Sequence, residues 1–297
     1  MFKVINKHYL LLHIIVFIWG FSPVLGRFIN TNAYQLVWFR VLLAVMLLFS
    51  YLRFTKYKLT ISTKHFWQLA GIGLLIMIHW LAFYGAIKVS NISVTMVAFS
   101  TGTLFSSIIE PVFFKRRFRF YEIIIGLIII AAIALIFSIE TRYSLGIVLG
   151  IVAAFLSSLF SVLNGIMIHQ LKSELISFYE LLSALICLTL FLAFHGDFTT
   201  SFFDLDSSSI IGLLILSTVC TVFPFIASIG LSKYISPYTI VLTVNLESVY
   251  GIIWAIIFYN ENDDVKPTFY VGVIIIFLVI FLNTYLKRIY DKQLIHN

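Results

Sequence analysis

The stretch ISVTMVAFSTGTLFSSIIEPVFF, residues 92–114, decides the fold, and the basic segment KRRFR, residues 115–119, follows it directly. The stretch has the length of a membrane-spanning helix, which needs about 20 mainly apolar residues. Because residues three or four apart share a helix face, its polar positions gather on one side. These positions are Thr95, Gly102, Ser106 and Glu110. The pattern predicts one face for lipid and another for a neighbouring helix or a water-filled cavity.

A similar apolar run with its own polar stripe returns at residues 237–259. The stripe consists of Thr239, Thr243, Glu247, Tyr250 and Trp254. We therefore expect two related helices, each with a glutamate, at the centre of the function.

The composition indicates a chain that is solvated mostly by lipid. Of 297 residues, 61% are hydrophobic and only 11% are charged, whereas a soluble protein carries about a quarter charged residues. The net charge of +7 comes from cations in short segments between apolar runs, so no basic face for nucleic acid is expected. Cys187 and Cys220 lie inside apolar runs, which predicts core residues and neither a disulfide nor a metal site.

Ten apolar segments are long enough to cross a bilayer, and the connections between them are short. We take the first as a spanning helix and not a signal peptide, because no small-residue cleavage site follows it. The predicted spans are 8–28, 33–52, 66–87, 92–114, 121–139, 144–168, 176–194, 209–231, 237–259 and 267–286.

The distribution of cations predicts the orientation in the membrane. Fifteen of the 20 Lys and Arg residues fall in the segments on one side, four fall on the other, and Arg40 lies within a helix. Because positive residues favour the cytoplasmic side, both termini are expected there, in a multi-pass protein of the cell membrane.

The two halves of the chain match each other weakly but in order. A shift of 145 residues places Lys88 on Lys233, and a shift of 140 places Arg40 on Glu180. Each half holds five helices, an odd number, so the second half must enter the membrane from the opposite side. The predicted fold is an all-α integral membrane protein with ten transmembrane helices in two inverted five-helix repeats, residues 1–140 and 141–297.

Five short motifs are spread over nearly the whole length of the chain: Trp19-Gly20, Phe39-Arg40, Glu110-Pro111, Leu246-Glu247 and Asn260-Glu261. With these motifs the sequence resembles the EamA-type transporters of the drug/metabolite transporter superfamily. The resemblance implies a secondary transporter that moves an amino acid, metabolite or drug-like compound, commonly outward, through a central cavity.

The chain departs from the usual pattern of this family in three places. It has Glu247-Ser248 where members usually show Glu-Pro, and Asn260-Glu261 where they show Gly-Glu. In the first half, Lys115-Arg116 stands at the usual Gly-Glu position. These departures leave the substrate open.

Four charged residues inside helices need a partner or a purpose, because an ionised side chain at mid-membrane costs about 2.5–3.5 kcal/mol. Glu247 is predicted to face the cavity and to bind a cationic group or carry a proton; a structural glutamate is the alternative. Arg40 and Glu180 are expected in charge pairs that fix helix packing, with a carboxylate from another helix as the partner of Arg40. Glu110 is expected in an ion pair at the membrane interface.

Further candidates for substrate contact are uncharged. Trp19, Trp80, Tyr84 and Trp254 are aromatic residues suited to the wall of a pocket. His79 is either a pocket residue that titrates in the physiological range or a hydrogen-bonded packing residue. Asn164 and Asn245 either recognise substrate or bond between helices. Separately, bends are predicted at Gly20, Pro23 and Gly26 and at Pro224.

Two other classes compete with a transporter. A membrane-embedded enzyme needs a catalytic motif, and the sequence contains no His-Glu-x-x-His, Gly-x-Ser-x-Gly or phosphate loop. A receptor or structural membrane protein has no need for buried carboxylates. We expect the bilayer, a small-molecule substrate and protons as partners, no cofactor and no nucleic acid, in a monomer or a homodimer.

Overall fold

A computed structural model describes residues 7–139 and 141–261, together with eight separate positions between 271 and 286. Within these residues the chain is helical and contains no strand. The helices are α1 (Lys7–Trp19), α2 (Ser22–Phe28), α3 (Ala33–Phe54), α4 (Thr63–Val89), α5 (Ile92–Phe99), α6 (Gly102–Phe114), α7 (Phe120–Ile139), α8 (Ser144–Met167), α9 (Ser173–His195), α10 (Thr200–Phe203), α11 (Ser207–Ser217), α12 (Phe223–Leu231) and α13 (Pro237–Tyr259).

Eight stretches of the described chain are long and apolar enough to cross a membrane. Each agrees with a predicted span to within three residues at both ends. The fifth predicted span corresponds to α7. The tenth, 267–286, lies outside the described residues apart from the separate positions. The multi-pass helical prediction is confirmed, and the count of ten helices stays a prediction.

Three spans are interrupted near their middle. The first breaks between α1 and α2 at Gly20, where an added Cβ would lie 2.5 Å from Tyr250 Cβ, so only glycine allows α13 so close. The fourth breaks between α5 and α6 at Ser100 and Thr101, whose hydroxyls donate to carbonyls of the preceding turn. The predicted bend at the start of the protein is therefore present.

The eighth span contains a π-helix, Thr218–Val222, between α11 and α12. Pro224 follows it and has no N–H to donate to the carbonyl of Cys220, four residues earlier. Trp19 Nε1 donates to that carbonyl instead, at 3.2 Å. The predicted bend at Pro224 is thus a widened turn of the helix. The carbonyl that Pro224 cannot bond accepts a hydrogen bond from a side chain of α1.

The deciding stretch is buried on almost every side, which corrects the prediction of a lipid face along its length. All eight residues of α5 are buried, as are most residues of the first two turns of α6. Only the last third is open, with Ile108, Val112 and Phe113 exposed. The apolar residues pack against α4, α8 and α13, because this helix lies at the centre of the bundle.

The α5–α6 helix and α13 run antiparallel, and the C-terminal end of each contacts the N-terminus of the other. Glu110, late in α6, accepts a hydrogen bond from the backbone N–H of Tyr238 at the start of α13. Glu261, after α13, accepts from the N–H groups of Ile92 and Ser93 at 3.0 and 2.8 Å. Carboxylates are favourable at helix N-termini, because the free N–H groups and the helix dipole attract negative charge.

The start of α11 has a similar cap outside the membrane-spanning segments. Asp206 accepts hydrogen bonds from the hydroxyl of Ser208 and from the N–H and hydroxyl of Ser209, the last two both at 2.8 Å. These bonds favour the ionised carboxylate and lower its pKa to about 2.

Candidate functional site

A cavity lies at the centre of the bundle and encloses about 860 Å³ of empty space, including its opening. Seven of the eleven candidate residues from the sequence line it: Trp19, Arg40, His79, Trp80, Tyr84, Asn164 and Glu247. The walls come from both halves of the chain. They are formed by α1, α3, α4, α5, α8, α12 and α13, together with Ser22 of α2 and the π-helix.

Arg40 enters the cavity from α3 and is 3% exposed. Its Nε donates to Thr221 Oγ1 at 2.8 Å, and its Nη1 donates to Tyr84 Oη at 2.7 Å. The guanidinium lies 4.2 Å from the ring centroid of Trp80, within the range of a cation–π interaction. The expected carboxylate partner is absent: no acid of the described chain lies within 4.0 Å of Arg40, because hydroxyls and aromatic faces surround it.

Glu247 lines the same cavity from α13, with 7% of its surface exposed. Among the described residues no side chain or backbone group donates a hydrogen bond to its carboxyl group, and none forms an ion pair with it. Arg40 and Glu247 therefore share one cavity without an ion pair between them. Each leaves polar atoms available to a solute.

His79 and Asn164 are held by neighbouring helices. The Nδ1 of His79 is 2.8 Å from the carbonyl oxygen of Ala153 in α8, and the ring is packed edge-on against Phe160. Asn164 Nδ2 donates to Glu180 Oε2 at 3.3 Å. His79 is thus the hydrogen-bonded packing residue that the sequence allowed, although it also borders the cavity.

Four candidates lie outside the cavity. Asn245 faces away from Glu247 and donates to Thr103 in α6, which is the interhelical alternative. Trp254 is two turns beyond Glu247, where the bundle is closed, and its ring stacks on Phe21 at 4.7 Å, so its prediction as a pocket residue is wrong.

The remaining two are the buried acids Glu110 and Glu180. Glu110 forms the expected ion pair, with Arg116 Nε at 2.9 Å. Glu180 is fully buried in α9 and forms no ion pair with any described residue, so the expected charge pair is wrong. Its helix turns it toward Asn164 of α8 and away from the cations.

The cavity opens toward one end of the bundle. Its lining extends to Asn164 near the end of α8, Ser232 just after α12 and Ile240 in the first turn of α13. At the other end, Arg27 pairs with Glu261, and Tyr259 Oη donates to the carbonyl of Val24 at 3.1 Å. One end is therefore open and the other is closed by contacts between α2 and the end of α13.

Several lining residues were not singled out from the sequence. Two sets among them lie at helical spacing: Ser157, Phe160 and Ser161 on α8, and Phe225, Ser228 and Ile229 on α12 with Ser232 just after it. Both sets follow the spacing of one helix face, so the alternation of serine with aromatic residues was the available signal. Serine in a membrane helix more often bonds a neighbouring helix, which hides that signal.

The fold and the cavity together define a multi-pass helical membrane protein with a central polar chamber. The family model of the EamA-like transporter family matches residues 6–138 and 144–285, once in each half. The chain belongs to this family, whose members generally transport small solutes.

A solved crystal structure shares the fold. It aligns with a TM-score of 0.71 at 12% identity and covers 96% of this chain and 99% of the other. No curated protein matches the sequence. Among the described residues no group of three or more His, Cys, Asp or Glu is placed to hold a metal ion.

Proposed function

We propose that the chain is a secondary transporter that exports a small zwitterionic solute of the amino-acid class by alternating access. The observation that carries the proposal is the pair Arg40 and Glu247, which line one cavity without an ion pair between them. A solute with a carboxylate and an ammonium group satisfies both at once. A metabolite or drug-like compound with the same two groups fits the same site.

The energetics favour a charged solute. A buried charge without a partner is expensive in a membrane, so Arg40 and Glu247 need either each other or a ligand. Arg40 is fixed by Thr221, Tyr84 and Trp80, which use two of its three nitrogens for hydrogen bonds. Its remaining Nη2 is suited to a carboxylate, because guanidinium–carboxylate hydrogen bonds are charge-assisted.

The aromatic wall supports an apolar part of the solute. The ring centroids of Trp80 and Phe225 lie 6.1 Å apart. The ring centroids of Phe99 and Phe160 lie 5.8 and 5.3 Å from that of His79. Such walls bury apolar surface, while a few placed polar groups set orientation and specificity.

Alternating access is supported by the asymmetry of the two ends. The cavity opens where the cation count predicts the cytoplasm, next to Lys233, and is closed at the end with Arg27 and Glu261. A chamber that accepts solute from the cytoplasm suits efflux. Two related halves of opposite orientation provide a second conformation in which the other end opens.

Several finer assignments form part of this proposal. They are ten helices in inverted repeats at residues 1–140 and 141–297, both termini cytoplasmic in the cell membrane, a monomer or a homodimer, and protons as the coupling ion. The antiparallel contacts of Glu110 and Glu261 support opposite orientations of the halves.

Binding and uptake with protein in liposomes test the proposal. The first screen uses the 20 standard amino acids and the second compares phenylalanine with phenethylamine and 3-phenylpropionate, which each lack one charge. We expect phenylalanine to bind about tenfold or more tightly than either, because hydrogen bonds to charged groups contribute about 1.5–3 kcal/mol.

Two variants assign the charges. Arg40→Gln should remove the preference for phenylalanine over phenethylamine, and Glu247→Gln the preference over 3-phenylpropionate. Glu174→Gln is the control, since Glu174 bonds Tyr57 outside the cavity. Equal affinity of the wild type for all three compounds, or uptake of none of the 20 amino acids, would refute a zwitterion site.

A further inference from the structure

Glu180 is a fully buried acid that has no role in the proposed solute site. It lies in α9 with 0% of its surface exposed, and Asn164 supplies its single hydrogen bond, at 3.3 Å. Its other oxygen, Oε1, has no partner among the described residues. The same is true of Asn164 Oδ1 and of Ser177 Oγ, one turn earlier on α9. Among the described residues the two carboxyl oxygens of Glu180 therefore have one donor between them, and the hydroxyl of Ser177, which is able to donate, bonds neither.

No cation of the described chain compensates this carboxyl group. The helices packed against α9 are α3, α4 and α12, and α8 reaches it through Asn164; α8 and α12 carry no ionisable side chain. The buried ionisable groups of α3 and α4 are engaged elsewhere: Arg40 bonds Tyr84 and Thr221, and His79 bonds the carbonyl of Ala153. At Glu180 itself, α4 presents Gly73, whose added Cβ would lie 2.3 Å from the Glu180 carbonyl oxygen.

A proton on Glu180 resolves the imbalance. An ionised carboxylate with one neutral donor and no cation is strongly disfavoured in a bilayer interior, whereas a carboxylic acid is neutral and adds a donor. The acid hydrogen is also a donor for which Asn164 Oδ1 is an available acceptor. The burial, the single neutral donor and the lack of a cation among the described residues thus all favour the protonated form in this conformation.

The position of Glu180 in the chain relates it to the alternate conformation. It matches Arg40 of the first half at a shift of 140 residues, and Arg40 lines the open cavity. If the two halves exchange conformations, Glu180 takes the cavity-lining place that Arg40 occupies now. Asn164 already lies between Glu180 and the present cavity.

We propose that Glu180 is a proton-binding site that links the conformation of the transporter to pH. It holds its proton while the cytoplasmic end is open, and it ionises when α4 moves away and the opposite end opens. One proton is then taken up in each return to the present conformation. This inference rests on the proposed alternating access and assigns its proton to Glu180 and not to Glu247.

Two solute-free measurements test the assignment. Infrared spectra of the reconstituted protein at pH 7 should show a carboxylic-acid C=O band that Glu180→Gln removes and Glu174→Gln retains. Absence of any such difference means that Glu180 is ionised and overturns the proposal.

The second measurement follows the open end by cysteine labelling. Ser232→Cys, in a background of Cys187→Ala and Cys220→Ala, is labelled by a membrane-impermeant thiol reagent from the cavity side, with rates corrected for thiolate formation. The population of the cytoplasm-open conformation, relative to the alternate conformation, should fall as the pH rises. The fall should be at most tenfold per pH unit, which is the limit for one linked proton. Glu180→Gln should make the profile flat, and an unchanged pH profile in this variant refutes the linkage.

A second variant guards against misfolding of Glu180→Gln. Asn164→Leu removes the donor that Glu180 has among the described residues and should move the labelling transition to higher pH, since the ionised form loses its hydrogen bond. A profile that coincides with the wild type overturns the proposal. Failure of solute uptake with these pH responses intact counts against the transport proposal alone, whereas normal uptake together with a wild-type pH profile in Glu180→Gln counts against the proton site alone.

Discussion

Replacing Gly73 with alanine perturbs the contact that holds α4 against α9. A Cβ at this position would lie 2.3 Å from the Glu180 carbonyl oxygen and 2.8 Å from Ser183 Cβ. Because ordinary van der Waals contact begins at 3.4 Å, the helices must separate by about 1 Å. The opposing atom belongs to the backbone of a long helix, so a side-chain rotation cannot relieve the clash.

The expected magnitude follows from the cost of overpacking. Forcing an extra methyl group into a packed interface typically costs about 1–3 kcal/mol. The cost falls on the conformation in which α4 and α9 touch, so its population relative to the alternate conformation should drop by about 5- to 150-fold. Transport should slow because the solute meets a cavity that is open to the cytoplasm less often.

Labelling of Ser232→Cys from the cavity side measures that population. Gly71→Ala is the matched control: it lies in the same helix and an added Cβ there meets nothing within 4 Å. Gly73→Ala should lower the labelling rate by at least fivefold relative to Gly71→Ala. Equal rates in the two variants would show that the contact between α4 and α9 does not control the opening.

Three further predictions concern stability. Trp19→Phe should lower the free energy of unfolding of the purified protein by about 1–3 kcal/mol, because it removes the hydrogen bond to the Cys220 carbonyl in the π-helix; thermal melting measures it. Trp254→Phe should cost less, since its Nε1 has no partner among the described residues. Glu261→Gln should destabilise the closed end, because one amide oxygen cannot replace two carboxylate oxygens that accept from α5 and Arg27; thermal melting checks this. The lowered pKa of Asp206 means that its cap on α11 is present above pH 4 and is lost as the pH falls through about 2. The Ser209 amide should therefore exchange its hydrogen more slowly in the wild type than in Asp206→Ala above pH 4. This difference should disappear as the pH falls through about 2.

The departure from the family pattern in the first half has a structural explanation. Lys115 and Asn260 correspond at a shift of 145 residues, and both end their helices in the left-handed region, with φ of 52° and 50°. In the second half the next residue is Glu261, which caps α5 by accepting hydrogen bonds. In the first half it is Arg116, whose side chain cannot accept a hydrogen bond and so cannot cap a helix N-terminus. Glu110 supplies the carboxylate to α13 instead, and Arg116 holds it by an ion pair.

The spans were predictable because a bilayer imposes one physical requirement on every helix that crosses it. About 20 apolar residues must satisfy their backbone hydrogen bonds internally, and this leaves a local signal in composition. The breaks near Gly20 and Pro224 were also predictable from local sequence. A glycine has no side chain and a proline has no N–H, and both features affect the helix within one turn. The resemblance to the family likewise depended on short motifs and was confirmed.

The sequence alone also predicted which residue types form the site, but it predicted less well which residues they contact. Periodicity assigns a residue to a helix face and depth, and Glu247, Trp80 and Tyr84 were placed in the cavity on that basis. It does not say which helix that face meets. Trp254 shares the stripe of Glu247 but lies where the bundle is closed, and Arg40 meets hydroxyls and rings in place of an acid.

The sequence by itself thus determined that this protein crosses the membrane many times, in two related halves, with a few charges kept inside. Only the tertiary structure decided that Arg40 and Glu247 share a cavity unpaired, and that Glu180 is sealed against α4. The physical reason is that spanning depends on each segment's own contact with lipid, whereas the partners of a buried charge depend on how distant segments pack around it.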